Sequence, residues 1–133
     1  MLLADTSAWI EYLRRTGSPT NVRLRRAIRD EEVLLTDPVV YELMAGVRPN
    51  EEDKLIRLLN EQHYEPFASR TDWLDAADIY RNCRRQGVTI RAHTDVHIAT
   101  VAIRMGVPVL QHDRDYPAIA RCTALQLVDA STT

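Results

Sequence analysis

Five carboxylates stand where a fold could bring them together: Asp5, Glu42, Asp95, Asp113 and Asp115. Asp5 directly follows the apolar run Leu2-Leu3-Ala4, and Asp113 and Asp115 follow Val107-Pro108-Val109-Leu110. Glu42 lies beside Val39 and Leu43 rather than on a polar helix face, and Asp95 shares a helical face with Ile98, Ala99 and Ala102. Each has an ordinary reading when taken alone. Asp5 can cap a helix, Asp95 sits in a first helical turn where the dipole favours acids, and Asp113 and Asp115 are common turn residues. Glu42 fits such a reading least, because an acid on a core-facing surface is costly without a partner. Together they repel, and the simplest neutraliser is a hard divalent cation with oxygen ligands, Mg²⁺ or Mn²⁺ in its place. Such an ion lowers the pKa of a water, aligns it with a phosphorus and offsets charge on the leaving oxygen. No nucleophilic side chain is required. Thr6 and Ser7, next to Asp5, are placed to support the acids, and no Ser-His-Asp spacing stands out.

Positioning these acids takes alternating strands and helices. Leu2-Leu3-Ala4 and Val33-Leu34-Leu35-Thr36 read as short buried strands. Between them, Thr6 and Ser7 can start a helix through Trp9, Ile10, Tyr12 and Leu13; after the break at Gly17-Ser18-Pro19 a second helix runs over about 21–29. Asp37-Pro38 opens a helix that carries Glu42 and stops at Gly46. Leu55, Ile56, Leu58 and Leu59 have helical spacing, and a short strand is expected around His63-Tyr64-Glu65. A long amphipathic helix over about 71–86 closes at Gly87. The helix starting near Asp95 is apolar around much of its circumference and is capped by Gly106, with a strand at 107–110 after it and a last one at 125–128. This order predicts an α/β fold: an open, mostly parallel sheet of four to five strands, flanked by helices and joined by right-handed crossovers. Ligands of such sheets bind at the carboxyl ends of the strands, where Asp5, Asp113 and Asp115 fall.

Composition bounds the remaining possibilities. A length of 133 residues suits one domain spanning 1–133, and 45% hydrophobic with 27% charged residues argues against disorder. The start has no basic leader and no apolar run reaches the ~18 residues of a membrane span, so a cytoplasmic protein without membrane attachment is expected. Cys83 and Cys122, far apart in sequence, read as free thiols of a reducing compartment. Net charge is −2, yet of 17 basic residues only Lys54 is lysine. Arginine grips phosphate with a planar fork, which suits RNA; codon usage explains the bias equally well. Arg23, Arg25, Arg26 and Arg29 form one cluster and Arg81, Arg84, Arg85 and Arg91 another. Arg84, Arg85 and Arg91 are the expected RNA contacts, against the usual role of charge runs as solvated faces.

The acids with their neighbours resemble a known family. Asp5-Thr6-Ser7-Ala8-Trp9 is similar to the opening motif of PIN domains, in particular those of VapC toxins. Tyr41-Glu42-Leu43 resembles the family's second acid, Thr94-Asp95-Val96-His97-Ile98-Ala99 the third, and His112-Asp113-Arg114-Asp115-Tyr116 the fourth with its trailing acid-aromatic pair. Order and spacing match over nearly the whole chain; Arg91-Ala92-His93 departs from the proline-containing lead-in of many relatives. The resemblance implies Asp5, Glu42, Asp95 and Asp113 as the acidic site, with Asp5 and Asp95 as direct ligands of Mg²⁺; Asp113 and Asp115 remain alternatives for the fourth place. It further implies a toxin of a type II toxin-antitoxin system that cleaves structured RNA such as tRNA. A VapB-type antitoxin, a homodimer and toxin-antitoxin hetero-oligomers come with it. The helix through Leu55, Leu58 and Leu59 would offer apolar anchors to the antitoxin, or pack in the core.

Other readings fit less well. A signalling receiver domain would need paired acids at the first strand and a late lysine, whereas Asp5 stands alone and Lys54 lies mid-chain. His93 and His97 have the four-residue spacing of zinc-binding helices, but the glutamate beside the first histidine is absent. A non-catalytic interaction module that keeps the fold without the metal is the alternative from another class. The full set of acids argues against it.

Overall fold

The computed structural model describes residues 1–67 and 69–132. Strand β1 (Leu2–Ala4) is one of the two inner strands of a four-stranded parallel sheet in the order β3-β2-β1-β4, with β2 at Val33–Leu35, β3 at His63–Tyr64 and β4 at Val109–Leu110. Every residue of β1, β2 and β4 is buried, although successive side chains of a strand point to opposite faces. Both sheet faces are therefore covered, as parallel sheets require. The edge strand β3 is exposed. The expected fifth strand shortens to a single parallel bridge between Leu127 and Val109.

The helices follow the turn chemistry of the sequence. Asp5 caps α1 (Thr6–Leu13), and Ser18 caps α2 (Pro19–Arg29), whose proline occupies the first position, where no N–H is needed. Thr36 precedes α3 (Asp37–Gly46); a short 3₁₀ turn at Pro49–Glu51 leads into α4 (Glu52–Asn60). Ser69 caps α5 (Arg70–Arg85), and α6 (His93–Met105) ends on Gly106 in the left-handed region at φ 66°. There the Val107 N–H reaches back to the Ala102 carbonyl at 3.0 Å, a Schellman-type closure that only glycine makes without strain. Helix α7 (Asp115–Cys122) was not anticipated. Pro117 falls in the first turn of α7, whose N–H groups have no partner within the helix, so a proline is tolerated there.

The core joins Leu2, Leu3, Trp9, Leu24, Leu34, Val39, Ile98, Val101, Leu110, Tyr116 and Ile119. Leu55 and Leu59 belong to it as well, and Leu58 packs against it. This decides the two readings of α4 in favour of packing: its leucines face inward and are not free as anchors for a partner. Cys83 and Cys122 are buried free thiols. Burial, with Cys122 beside it, pushes the Cys83 thiol up to about 11. Among the described residues no helix is long and apolar enough to cross a membrane.

One buried acid away from the sheet end has its own cation. Asp72, in the first turn of α5, is 1% exposed and takes two hydrogen bonds from the Arg104 guanidinium, at 2.8 and 3.1 Å. Arg104 also binds Glu65 at 2.7 Å and the Pro66 carbonyl at 3.1 Å, tying α6 to α5 and to the segment after β3. Removing one partner of a buried pair leaves the other charge uncompensated. Arg104→Ala is expected to lower stability by about 3 kcal/mol in denaturant melts. A loss under ~1 kcal/mol would mean that water already neutralises Asp72.

Candidate metal centre

Asp5 leaves the end of β1 and is anchored at once by its neighbours. Its Oδ1 accepts from the Ala8 N–H at 2.9 Å and from the Ser7 hydroxyl at 2.7 Å, while its own N–H donates to the Leu110 carbonyl at 3.1 Å. Ser7 in turn accepts from the His112 N–H at 2.8 Å, so one hydroxyl links the end of β1 to the loop after β4. Asp5 is 2% exposed. Burial is the main cause that raises its pKa to about 6, over the opposing hydrogen bonds from Ala8 and Ser7; Asp113 adds a small push in the same direction.

Asp95 projects from the first turn of α6 and is buried. One of its oxygens, Oδ2, is fully buried without a hydrogen-bond partner. The buried Tyr116 hydroxyl is also unpartnered; it lies beside this carboxylate, close enough to bias its charge but short of a formed hydrogen bond. Burial first, then the charges of Asp113, Asp5 and Asp115, push Asp95 up to about 7. The Tyr116 phenol is raised too, by burial and then by Asp5 and Asp95.

The loop after β4 delivers the remaining acids. Gln111 Oε1 accepts from the Asp113 N–H at 2.6 Å, and Asp113 Oδ1 accepts from the Asp115 N–H at 3.0 Å, an Asx-type turn. Asp95, Asp113 and Asp115 each offer a carboxylate oxygen, and these oxygens all lie within 4.8 Å of one another. At that spacing and an effective dielectric near 20, each ionised pair repels by roughly 3–4 kcal/mol. Arg91 is the cation beside them, 3.4 Å from Asp115 Oδ1 and itself mostly exposed. Glu42 is gripped on both oxygens: Thr6 donates to Oε1 at 2.6 Å, and Thr94 approaches Oε2 at 3.5 Å.

The sequence-predicted residues thus fall into two groups. Asp5, Thr6, Ser7, Glu42, Asp95, Asp113 and Asp115 gather at the carboxyl ends of β1 and β4, the crevice on either side of which the strand order diverges. Asp5 stands next to the tight trio rather than within it, and Asp115 stands inside it. The arginines spread out. Arg91 reaches the acids, Arg84 lies over Tyr80 at 5.8 Å, and Arg85 lines a different cavity with Asn82 and Arg104. Tyr116, which the sequence showed only as an aromatic trailing the acids, is buried beside Asp5, Asp95 and Glu42. His93 stacks on Tyr80 and His97 packs on Phe67 and Trp73, so the two histidines face separate aromatic partners instead of a shared ion.

A buried carboxylate oxygen without a hydrogen-bond partner, beside two more carboxylates, fits a hard divalent cation: it supplies oxygens and excess negative charge. The proton balance without metal has a definite sign. Asp5 and Asp95 keep protons in the folded state to about pH 6 and about pH 7, whereas the unfolded chain releases them near 4. The native state therefore binds more protons across that window, and its stability falls as pH rises. In EDTA the melting temperature should drop between about pH 4 and about pH 7, and drop less in Asp95→Asn. Equal pH dependence of both proteins would show that Asp95 titrates as in the unfolded chain.

Known proteins match nearly the whole chain. The family model for the PIN domain matches residues 2–121. A VapC ribonuclease of Mycobacterium bovis and the ribonuclease VapC11 of Mycobacterium tuberculosis are each 40% identical over 129 residues, covering 95% of this chain and 96% of theirs. Among solved structures, FitAcB from Neisseria gonorrhoeae superposes with a TM-score of 0.78 at 21% identity, over the full length of both chains. VapBC2 from Rickettsia felis, bound to a DNA fragment from their promoter, superposes at 0.76 with 17% identity over 96% of each chain.

Proposed function

This chain belongs to the PIN-domain family alongside the VapC ribonucleases, and we propose that it is a Mg²⁺-dependent endoribonuclease acting on structured RNA such as tRNA. The observation that carries this reading is the buried, donor-free Asp95 oxygen within 4.8 Å of Asp113 and Asp115 oxygens. On the proposed reading the whole of 1–133 is one such domain, working as the toxin of a type II toxin-antitoxin pair. The VapBC2 structure among its neighbours supports a VapB-type antitoxin as partner; on the same reading the toxin forms a homodimer.

Asp95, Asp113 and Asp115 would hold the cation, with Asp5 as the adjoining carboxylate. When bound, a Mg²⁺ or Mn²⁺ ion supplies Lewis-acid stabilisation of a phosphate and a water of lowered pKa. The protein's own residues do the rest. Ser7 and the Ala8 N–H keep the Asp5 carboxylate from turning away, and the Asp113–Asp115 turn presents two acids to Asp95. Glu42, with Thr6 fixed on Oε1 and Thr94 near Oε2, is placed to receive a proton on Oε2 from an attacking water. Arg84 and Arg91 would give the RNA backbone guanidinium contacts beside the acids, and Arg85, which lines a separate cavity, would meet a more distant phosphate.

Purified protein incubated with tRNA should cut it with Mg²⁺ or Mn²⁺ and stop cutting in EDTA. Asp95→Asn should abolish cleavage while leaving the metal-free protein as stable as before or more so, because one repelling charge is gone. Added Mg²⁺ should raise the parent's melting temperature far more than the variant's. Cleavage unchanged by EDTA excludes the metal mechanism, and intact tRNA under every condition favours a non-catalytic module.

A further inference from the structure

The segment between α5 and α6 carries a feature that the acid cluster does not use. The His93 ring stacks on the Tyr80 ring, with centroids 5.1 Å apart and planes 24° from parallel. The Arg84 guanidinium lies over the same tyrosine ring, 5.8 Å from its centroid. Tyr80 and Arg84, with Gly87, Val88, Thr89 and Ile90, line a groove of about 420 Å³, in the size range of small-molecule sites.

Core packing does not account for this arrangement. His93 and Arg84 are both exposed. Other arginines nearby have acids: Arg81 pairs with Asp78, Arg91 with Asp115, and Arg104 with Asp72 and Glu65. Arg84 has no ion pair among the described residues, so its charge is available. The stack also adjoins the acids. His93 begins the helical turn that holds Asp95; Thr94 between them approaches Glu42, and Arg91, two residues earlier, reaches Asp115.

We propose that the Tyr80–His93 stack, with Arg84, is a base-stacking subsite for the single-stranded nucleotide next to the phosphate presented to the acid cluster. The proposal rests on the ribonuclease reading above and extends it to how substrate is held. A flat exposed ring next to an unpaired guanidinium matches a nucleotide on both counts: the base has a π-face for His93, and its phosphate takes the charge of Arg84. Stacking tolerates every base, so this subsite selects unpaired over paired RNA and does not read sequence. An acidic peptide would meet the arginine but would gain nothing from the ring stack.

The test uses the full chain in the Asp95→Asn background, which prevents cleavage, and a fluorescent short oligouridylate in anisotropy titrations. His93→Ala should weaken binding roughly tenfold, and His93→Phe, which keeps a stacking ring, should bind like the background protein. An oligomer of the same ribose-phosphate backbone without bases should bind more weakly and be indifferent to His93→Ala. Unchanged affinity of His93→Ala for oligouridylate overturns the proposal. Equal weakening for both oligomers overturns it as well, because loss then comes from the backbone or the local fold. The ribonuclease reading is judged separately, by whether the parent protein cuts tRNA with Mg²⁺: failure there leaves the acids without a role, whereas failure here leaves cleavage intact and removes only the subsite.

Discussion

Like charge forced into a buried place is the constraint on which this structure turns. Asp5 and Asp95 are both nearly inaccessible, and Asp113 and Asp115 crowd against Asp95. An unpaired carboxylate in such surroundings is expensive enough that it takes up a proton or finds a cation. The fold cannot avoid this by turning Asp5 outward. Its N–H is bonded to Leu110, its carboxylate caps α1, and Ser7 fastens it to the loop after β4. Because β1 is paired on both sides, displacing Asp5 would disturb the centre of the sheet.

The chain contains two solutions to the same problem. Asp72 is as deeply buried as Asp5, but Arg104 delivers two hydrogen bonds to it and continues to Glu65 and Pro66. That acid is complete within the protein and serves to join helices. At the sheet end the donors are hydroxyls and backbone N–H groups, which fix orientation without cancelling charge, and of the trio Arg91 pairs with Asp115 alone. A cluster oriented by neutral donors and left short of positive charge is organised to accept it from outside. The contrast between the two places distinguishes structural acids from acids kept for a ligand, and it does so without reference to any relative.

Much of this was legible in the sequence, for physical reasons that differ from element to element. Leu2-Leu3-Ala4 and Val33-Leu34-Leu35 are too short and too apolar to be anything but buried strands, and Asp5 after the first of them could lie only at the carboxyl end of its strand. Glu42 was visible because an acid among Val39 and Leu43 has no cheap explanation, and Thr6 proves to be its partner. The choice between Asp113 and Asp115 was not legible: their shared turn depends on a side-chain hydrogen bond, which brings both next to Asp95. Helix α7 is only eight residues long and follows a turn of polar residues, so the sequence did not show it or the burial of Tyr116 beside Asp5 and Asp95. Amphipathic spacing revealed the helix of Leu55 and Leu59 but not which neighbour covers it; that depended on tertiary packing, and the core covers it. Sequence distance likewise concealed that Cys83 and Cys122 lie together, because the contact needs α5 and the end of α7 to meet.

The most direct test follows the Asp95 carboxyl itself, by NMR titration of the side-chain carboxyl carbons of the aspartates. In the metal-free protein Asp95 should titrate near 7 and Asp5 near 6, against an ordinary aspartate value close to 4. With saturating Mg²⁺, Asp95 should lose its proton and its midpoint should move below the ordinary range, since a cation now favours the charged form. An Asp95 that titrates near 4 without metal, and does not respond to Mg²⁺, would contradict a convergent acid cluster built to take a cation.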